Sequence, residues 1–153
     1  MTGTRRLHGL LIALLLLSLL LLIPAAQARE MASVARDEIN MRSGPGTGHE
    51  IVWQLSRGYP LQVLGRKGGW LRVRDFENDE GWVYRSLTGK RQHHVVKSKI
   101  VNIRSAPSTR SRIVGKAEYG EVLRTLEKRQ DWVKVRNGGG LVGWVARRLL
   151  WGW

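Results

Sequence analysis

A phrase written twice limits what this chain can fold into. "INMRSGPGTGHEIV" begins at Ile39 and "VNIRSAPSTRSRIV" begins at Val101, 62 residues later. Setting residue n beside residue n + 62, from Ile39 to Arg91, gives 18 identities in 53 positions without a gap. The shared residues are informative ones. Pro45 meets Pro107 and Gly58 meets Gly120, which indicates shared turns. Leu61, Leu64, Trp70, Val73, Val83 and Leu87 meet identical residues and read as shared core, as do the Gly81-Trp82-Val83 and Gly143-Trp144-Val145 triplets. A repeat at one fixed period means two copies of one small module.

Each copy reads as β structure. Ile39 and Met41 alternate with Asn40 and Arg42, and the run stops at the turn cluster Ser43-Gly44-Pro45-Gly46. Ile51–Trp53, Leu61–Leu64, Trp70–Arg74 and Gly81–Tyr84 supply further short apolar or alternating runs, and the second copy follows the same scheme. Short strands at intervals of roughly 8 to 12 residues, separated by Gly- and Pro-rich turns, predict a small barrel or sandwich. In so few residues a partly closed barrel is the economical way to avoid exposed sheet edges. The fold class is therefore all-β, with two tandem small barrels of about five strands each. The expected division is 33–89 for the first domain and 101–153 for the second with its Trp-rich tail. Between them, 90–100 is a basic linker that leads into the second domain's first strand through Val95-Val96.

The first 28 residues read as a leader. Arg5 and Arg6 precede an apolar run from Leu10 to Ile23, followed by Pro24 and the small-residue pattern Ala26-Gln27-Ala28. That order predicts a secretory signal peptide cleaved after Ala28. An uncleaved anchor from Leu7 to Ala26 is the alternative. The absence of cysteine excludes disulfides, cysteine-based zinc sites and lipid attachment through an N-terminal Cys. It fits a bacterial envelope better than a small secreted animal domain, which usually relies on bridges. Residues 29–153 hold 24 Lys and Arg against 12 Asp and Glu, which predicts attraction to polyanions. Export turns that attraction towards envelope polymers and anionic lipid, and away from nucleic acid.

"NMRSGPG" and "NIRSAPS", each followed by Gly, then W-x-x-V, then G-W-V, resemble the bacterial SH3-like domain (SH3b). The resemblance covers nearly all of the chain after the leader, twice over. It implies small five-stranded barrels, commonly in tandem, in exported bacterial proteins. It also implies binding to cell-wall peptidoglycan or its peptides, often beside a hydrolase. The acidic and aromatic pattern with which eukaryotic SH3 domains hold proline-rich peptides is not present, so that activity is not implied.

The candidate ligand residues follow from the aromatic and basic content. Trp70, Trp82, Trp132 and Trp144 recur in both copies, as core or as exposed ring faces suited to sugar rings and peptide methyls. Tyr84 faces Ala146, and Trp53 faces Gly115, so the copies need not bind one ligand. Charge is uneven: net +1 over 33–89, four unopposed basic residues over 90–100, and net +7 over 101–153. Arg110 and Arg112 stand in the first turn of copy two, with Arg147 and Arg148 near its end where copy one has Arg85 and Ser86. They read either as a scattered basic surface or as a basic face across the linker and copy two. That face would dock on anionic wall polymer or phospholipid. Leu149–Trp153 either completes the last strand or seats in a membrane interface.

No catalytic or metal site emerges. There is no G-x-S-x-G, and no carboxylate pair recurs; Asp131 stands where copy one has Gly69. "DFENDE" lacks the glycine and bidentate glutamate of a calcium loop and reads as a tolerant hairpin. The expectation is a non-enzymatic exported protein, without cofactor, that binds peptidoglycan or another anionic envelope component. The alternatives are an adaptor for another envelope protein and a membrane-surface protein.

Overall fold

The computed structural model describes residues 28–153, and the expected leader lies outside the described residues apart from Ala28. The first half forms β1 (Met31–Val34), β2 (Glu38–Arg42), β3 (Ile51–Ser56), β4 (Pro60–Lys67), β5 (Trp70–Arg74), β6 (Glu80–Tyr84) and β7 (Thr88–Gly89). The second forms β8 (His93–Val96), β9 (Ile100–Arg104), β10 (Ile113–Glu118), β11 (Val122–Arg129), β12 (Trp132–Arg136), β13 (Val142–Ala146) and β14 (Leu150–Gly152). A single 3-10 turn precedes each final strand, Arg85–Leu87 and Arg147–Leu149. Among the described residues no helix is long and apolar enough to cross a membrane.

The strands pair antiparallel in two sheets of the same order, β3-β2-β6-β5-β4-β1-β7 and β10-β9-β13-β12-β11-β8-β14. Each sheet curls on itself, because strands from across its order share one core. Leu55 on β3, Val83 on β6, Leu61 on β4 and Val34 on β1 belong to one cluster. Ala117, Val145, Leu123 and Val96 are its counterparts in the second. The alternation that marked the strands is the cause: Leu71 and Val73 turn in while Trp70, Arg72 and Arg74 turn out.

Three differences from the sequence reading have physical reasons. Each sheet holds seven strands, because a short strand joins at each end of the copy. All four residues of β1 are buried, so it shows no alternation. Leu64 and Leu126 are not core: each falls where the register slips, between Val63 and Gly65 and between Thr125 and Glu127. The bulge turns the extra residue outward, and Leu126 is exposed. Within the expected linker, β8 already begins at His93, so only Lys90–Gln92 separate it from β7.

The glycine of the G-W-V triplet has a steric reason. A Cβ on Gly143 would lie 2.5 Å from Ile103 Cγ2 and 2.7 Å from the Arg104 carbonyl oxygen on the neighbouring strand. Backbone cannot yield there as a flexible side chain can. Replacing Gly143 by alanine should therefore destabilise the second barrel by about 1–3 kcal/mol. Urea unfolding measures it, and an unchanged midpoint would refute the steric account.

The barrels touch. Phe76 packs against Tyr119 with ring centroids 5.3 Å apart and planes tilted by 58°, and the Tyr119 hydroxyl donates to Glu77 Oε1 at 2.6 Å. Tyr59 extends the aromatic cluster, its ring centroid 6.3 Å from that of Phe76. Ser33 Oγ donates to the Arg91 carbonyl at 2.7 Å. Gly58 (φ +84) faces the His93 ring, where a Cβ would come within 2.8 Å. "DFENDE" is thus no arbitrary filling. Asp75 Oδ1 accepts the Glu77 and Asp79 amides, each at 2.9 Å, and shapes the loop that meets Tyr119.

Candidate functional site

The doubled phrase encodes a loop and the cleft beneath it. Arg42 Nη1 donates to the carbonyls of Thr47 (3.0 Å) and His49 (2.8 Å), and Arg104 Nη1 donates to that of Ser111 (2.8 Å). The same backbone bonds close both loops: Ser43 amide to Glu50 carbonyl and Ser105 amide to Arg112 carbonyl, each 2.9 Å. The repeated arginine therefore pins the loop from below. Where the copies differ, the exchange is paired. A Cβ on Gly44 would strike the His49 ring at 2.5 Å, and copy two has Ala106 opposite the smaller Ser111.

Beneath the first loop lies a cleft of about 530 Å³, lined by Asn40, Arg42, Thr47, Trp70, Tyr84 and Leu87. Trp70 and Tyr84 meet edge to face with centroids 5.4 Å apart. Tyr84 remains 44% exposed, so these rings form an accessible aromatic wall. A smaller cleft of about 300 Å³ occupies the corresponding place in the second barrel, lined by Thr109, Asp131, Trp132, Ala146 and Arg148. Thr109, Trp132 and Ala146 are the counterparts of Thr47, Trp70 and Tyr84 at the 62-residue offset. Two barrels thus present one site in two versions.

The structure sorts the sequence candidates. Trp70 and Tyr84 share the first cleft; Trp132 and Arg148 share the second, and Arg110 follows Thr109 on its loop. Trp82 and Trp144 lie in neither. Trp144 is only 6% exposed, with the Arg129 guanidinium 4.9 Å and the Lys134 ammonium 5.8 Å from its ring centre. Arg85 lines a separate hollow beside Glu30 and Lys90, Arg112 is exposed beyond the loop, and Arg147 Nη2 donates to the Arg129 carbonyl at 2.9 Å. Trp53 is half exposed on edge strand β3, whereas its counterpart Gly115 lies under Leu141. The tail pairs with β8, Trp151 opposite Val95, and both Trp151 and Trp153 are half-buried.

Asn40, Arg42, Thr47, Leu87, Thr109 and Asp131 were missed as cleft residues. The repeated Asn and Thr of the doubled phrase were a usable signal, since neither is needed for a turn at both places. A further hollow of about 270 Å³ lies between the barrels, lined by Arg57, Lys90, Arg91 and His93. Two of its cations are already engaged: Arg57 pairs with Asp37 at 2.8 Å and Lys90 with Glu30 at 3.2 Å.

Two tandem, small, antiparallel barrels, each with an aromatic cleft under a pinned loop, define a duplicated small-barrel module. The bacterial SH3 domain family matches residues 35–90 and again 100–150, and the chain belongs to that family through both halves. YrvJ of Bacillus subtilis (strain 168), provisionally named an N-acetylmuramoyl-L-alanine amidase, is 27% identical over 139 residues. The match takes in 84% of this chain and 26% of YrvJ, so this chain corresponds to about a quarter of that protein. Among solved structures, NlpC2 from Trichomonas vaginalis aligns with TM-score 0.38 and 15% identity, over 83% of this chain and 49% of that one. An NlpC/P60 family protein from Bacillus cereus ATCC 10987 aligns with TM-score 0.37 and 13% identity, over 80% and 56%.

Proposed function

We propose that this chain is a non-catalytic exported binding protein that holds peptidoglycan through its two clefts. One observation carries the reading: the same cleft recurs under the same loop in both copies, walled by Trp70 in one and Trp132 in the other. An indole face of this kind suits the apolar face of a sugar ring or a peptide methyl. The relative named as an amidase supports the wall as the target, since its name places its substrate there. The basic residues of the second barrel add attraction to anionic polymer and speed encounter without fixing identity. An extracellular or envelope location accords with that target and with the leader expected from residues 1–28. The adaptor reading rests on a different observation, the exposed Ile51, Val52 and Trp53 on edge strand β3.

Residues 29–153 should co-sediment with purified peptidoglycan sacculi at low salt. A substantial part of the binding should survive 1 M salt, where the Debye length is about 3 Å and exposed charge contacts are screened. Binding that disappears with salt would reduce the interaction to charge. No binding at either salt would overturn the wall reading in favour of a protein partner.

A further inference from the structure

Among the differences between the copies around the two clefts, three belong together. Gly69, Tyr84 and Ser86 in copy one become Asp131, Ala146 and Arg148 in copy two. In copy one the Tyr84 ring lies over Gly69, where a Cβ would come within 2.6 Å of Cε2. No side chain fits there while the tyrosine is present. In copy two the ring has become a methyl group, and a carboxylate side chain stands at the vacated place. The backbone does not change: the Arg85 amide donates to the Gly69 carbonyl and the Arg147 amide to the Asp131 carbonyl, both at 2.8 Å. One frame therefore carries two chemistries.

We infer that the second cleft selects a zwitterionic α-amino-acid group, with its ammonium on Asp131, its carboxylate on Arg148 and its carbon chain against Trp132. The inference rests on the reading of the clefts as ligand sites and deepens it. Asp131 forms no ion pair among the described residues, although eleven basic side chains surround it in sequence from 101 to 153. Three neighbouring cations lie against other groups. Arg129 pairs with Glu127 at 2.7 Å, and the Lys134 ammonium sits 5.8 Å from the Trp144 ring centre. Arg147, whose amide bonds to the Asp131 carbonyl, turns its guanidinium to the Arg129 carbonyl. Arg148 lines the same cleft as Asp131 yet does not pair with it. A cleft with one unpaired anion, one unpaired cation and an indole wall matches a ligand group carrying both opposite charges. The first cleft has no carboxylate in its lining and retains two rings, which suits a neutral flat group.

The test uses residues 29–153 and three synthetic peptides, alike except at one side-chain terminus. That terminus is a free α-amino acid, its N-acetyl derivative, or its methyl ester. Amide NMR titration should shift Thr109, Asp131, the Trp132 indole and Arg148 with the free form and leave Trp70 and Tyr84 unmoved. Asp131→Asn should weaken the free form about tenfold, the size expected for losing a charged hydrogen bond. It should leave the N-acetyl peptide, already weak, unchanged. Arg148→Gln should do the same for the ester. Equal binding of all three peptides, shifts centred on Trp70, or no binding by any peptide would overturn the inference. Sacculus sedimentation run alongside separates the two readings: wild-type protein that takes the free peptide but not sacculi keeps this cleft assignment and removes the wall.

Discussion

Replacing Trp70 and Trp132 together by alanine should reduce binding to sacculi to a residue that salt abolishes. An indole wall is what both clefts share, and a central aromatic anchor commonly contributes about 2 kcal/mol or more to recognition. The single variants are the informative step. If both clefts engage one polymer, losing either converts a two-point attachment into a one-point attachment. The apparent affinity should then fall on the order of 100-fold for either variant, because linked sites gain that much from effective concentration. If the clefts act independently, each single variant should lose only its own share, and the two losses should add. Both indoles are half-buried, so the melting temperature must be followed beside the binding. Trp144→Ala is the contrasting variant, since its ring is covered by Arg129 and Lys134. It should lower stability more than it lowers binding by the folded fraction. Double-variant protein that is folded and still binds sacculi at 1 M salt would remove both clefts as the site.

A second large effect should appear on mild acidification. His94 is buried on β8, with Nδ1 2.7 Å from Thr125 Oγ1. Burial, reinforced by the nearby cations Lys128 and Arg147, pushes its pKa down from 6.5 to about 4. The unfolded chain therefore takes up a proton below pH 6.5 that the folded chain refuses until about pH 4. A depressed folded pKa gives stability that is full above the unfolded value and is lost as pH falls through the window to the folded value. The loss from pH 7 to pH 5 should be about 2 kcal/mol, which is large against the 5–15 kcal/mol of an ordinary domain. His93, also lowered by burial, acts in the same direction. Glu30, held low by hydrogen bonds from Arg66 and Lys90, and Glu80, held low by those from Arg74 and Arg72, act only near and below 4.5. Thermal melts at pH 7, 6 and 5 should show the fall in wild type and a much flatter profile in His94→Gln. Parallel profiles for the two proteins would show that His94 is not the cause.

How much of this was legible depends on what each residue reports. The strands of the repeat were legible because burial on one face imposes a period of two, as Leu71 and Val73 show. The β1 strand left no period to read, since all four of its side chains are buried, and only its counterpart in the second copy was expected, through Val95-Val96. Leu64 and Leu126 misled for a related reason: a bulge shifts the phase by one residue, and identity between copies does not reveal it. Among the tryptophans, repetition named four but could not separate the accessible Trp70 and Trp132 from Trp144. Accessibility there depends on where Arg129 and Lys134 lay their long side chains, and no spacing encodes that. Asp131 was visible as a difference between copies. Its meaning needed the geometry of Gly69 beneath Tyr84, which gives the exchange a steric cause.

The contact between Phe76, Glu77 and Tyr119 has a consequence for polymer choice. Two sites on a floppy tether accept any pair of ligand groups within reach. On the proposed reading, two clefts joined by a tilted ring contact and a hydrogen bond would behave instead as a caliper whose jaws are already set. Such a caliper gains its full grip only on a strand whose repeat matches the jaw opening, and it slides over strands of the wrong pitch. Loosening the clamp with Tyr119→Ala would trade that discrimination for tolerance.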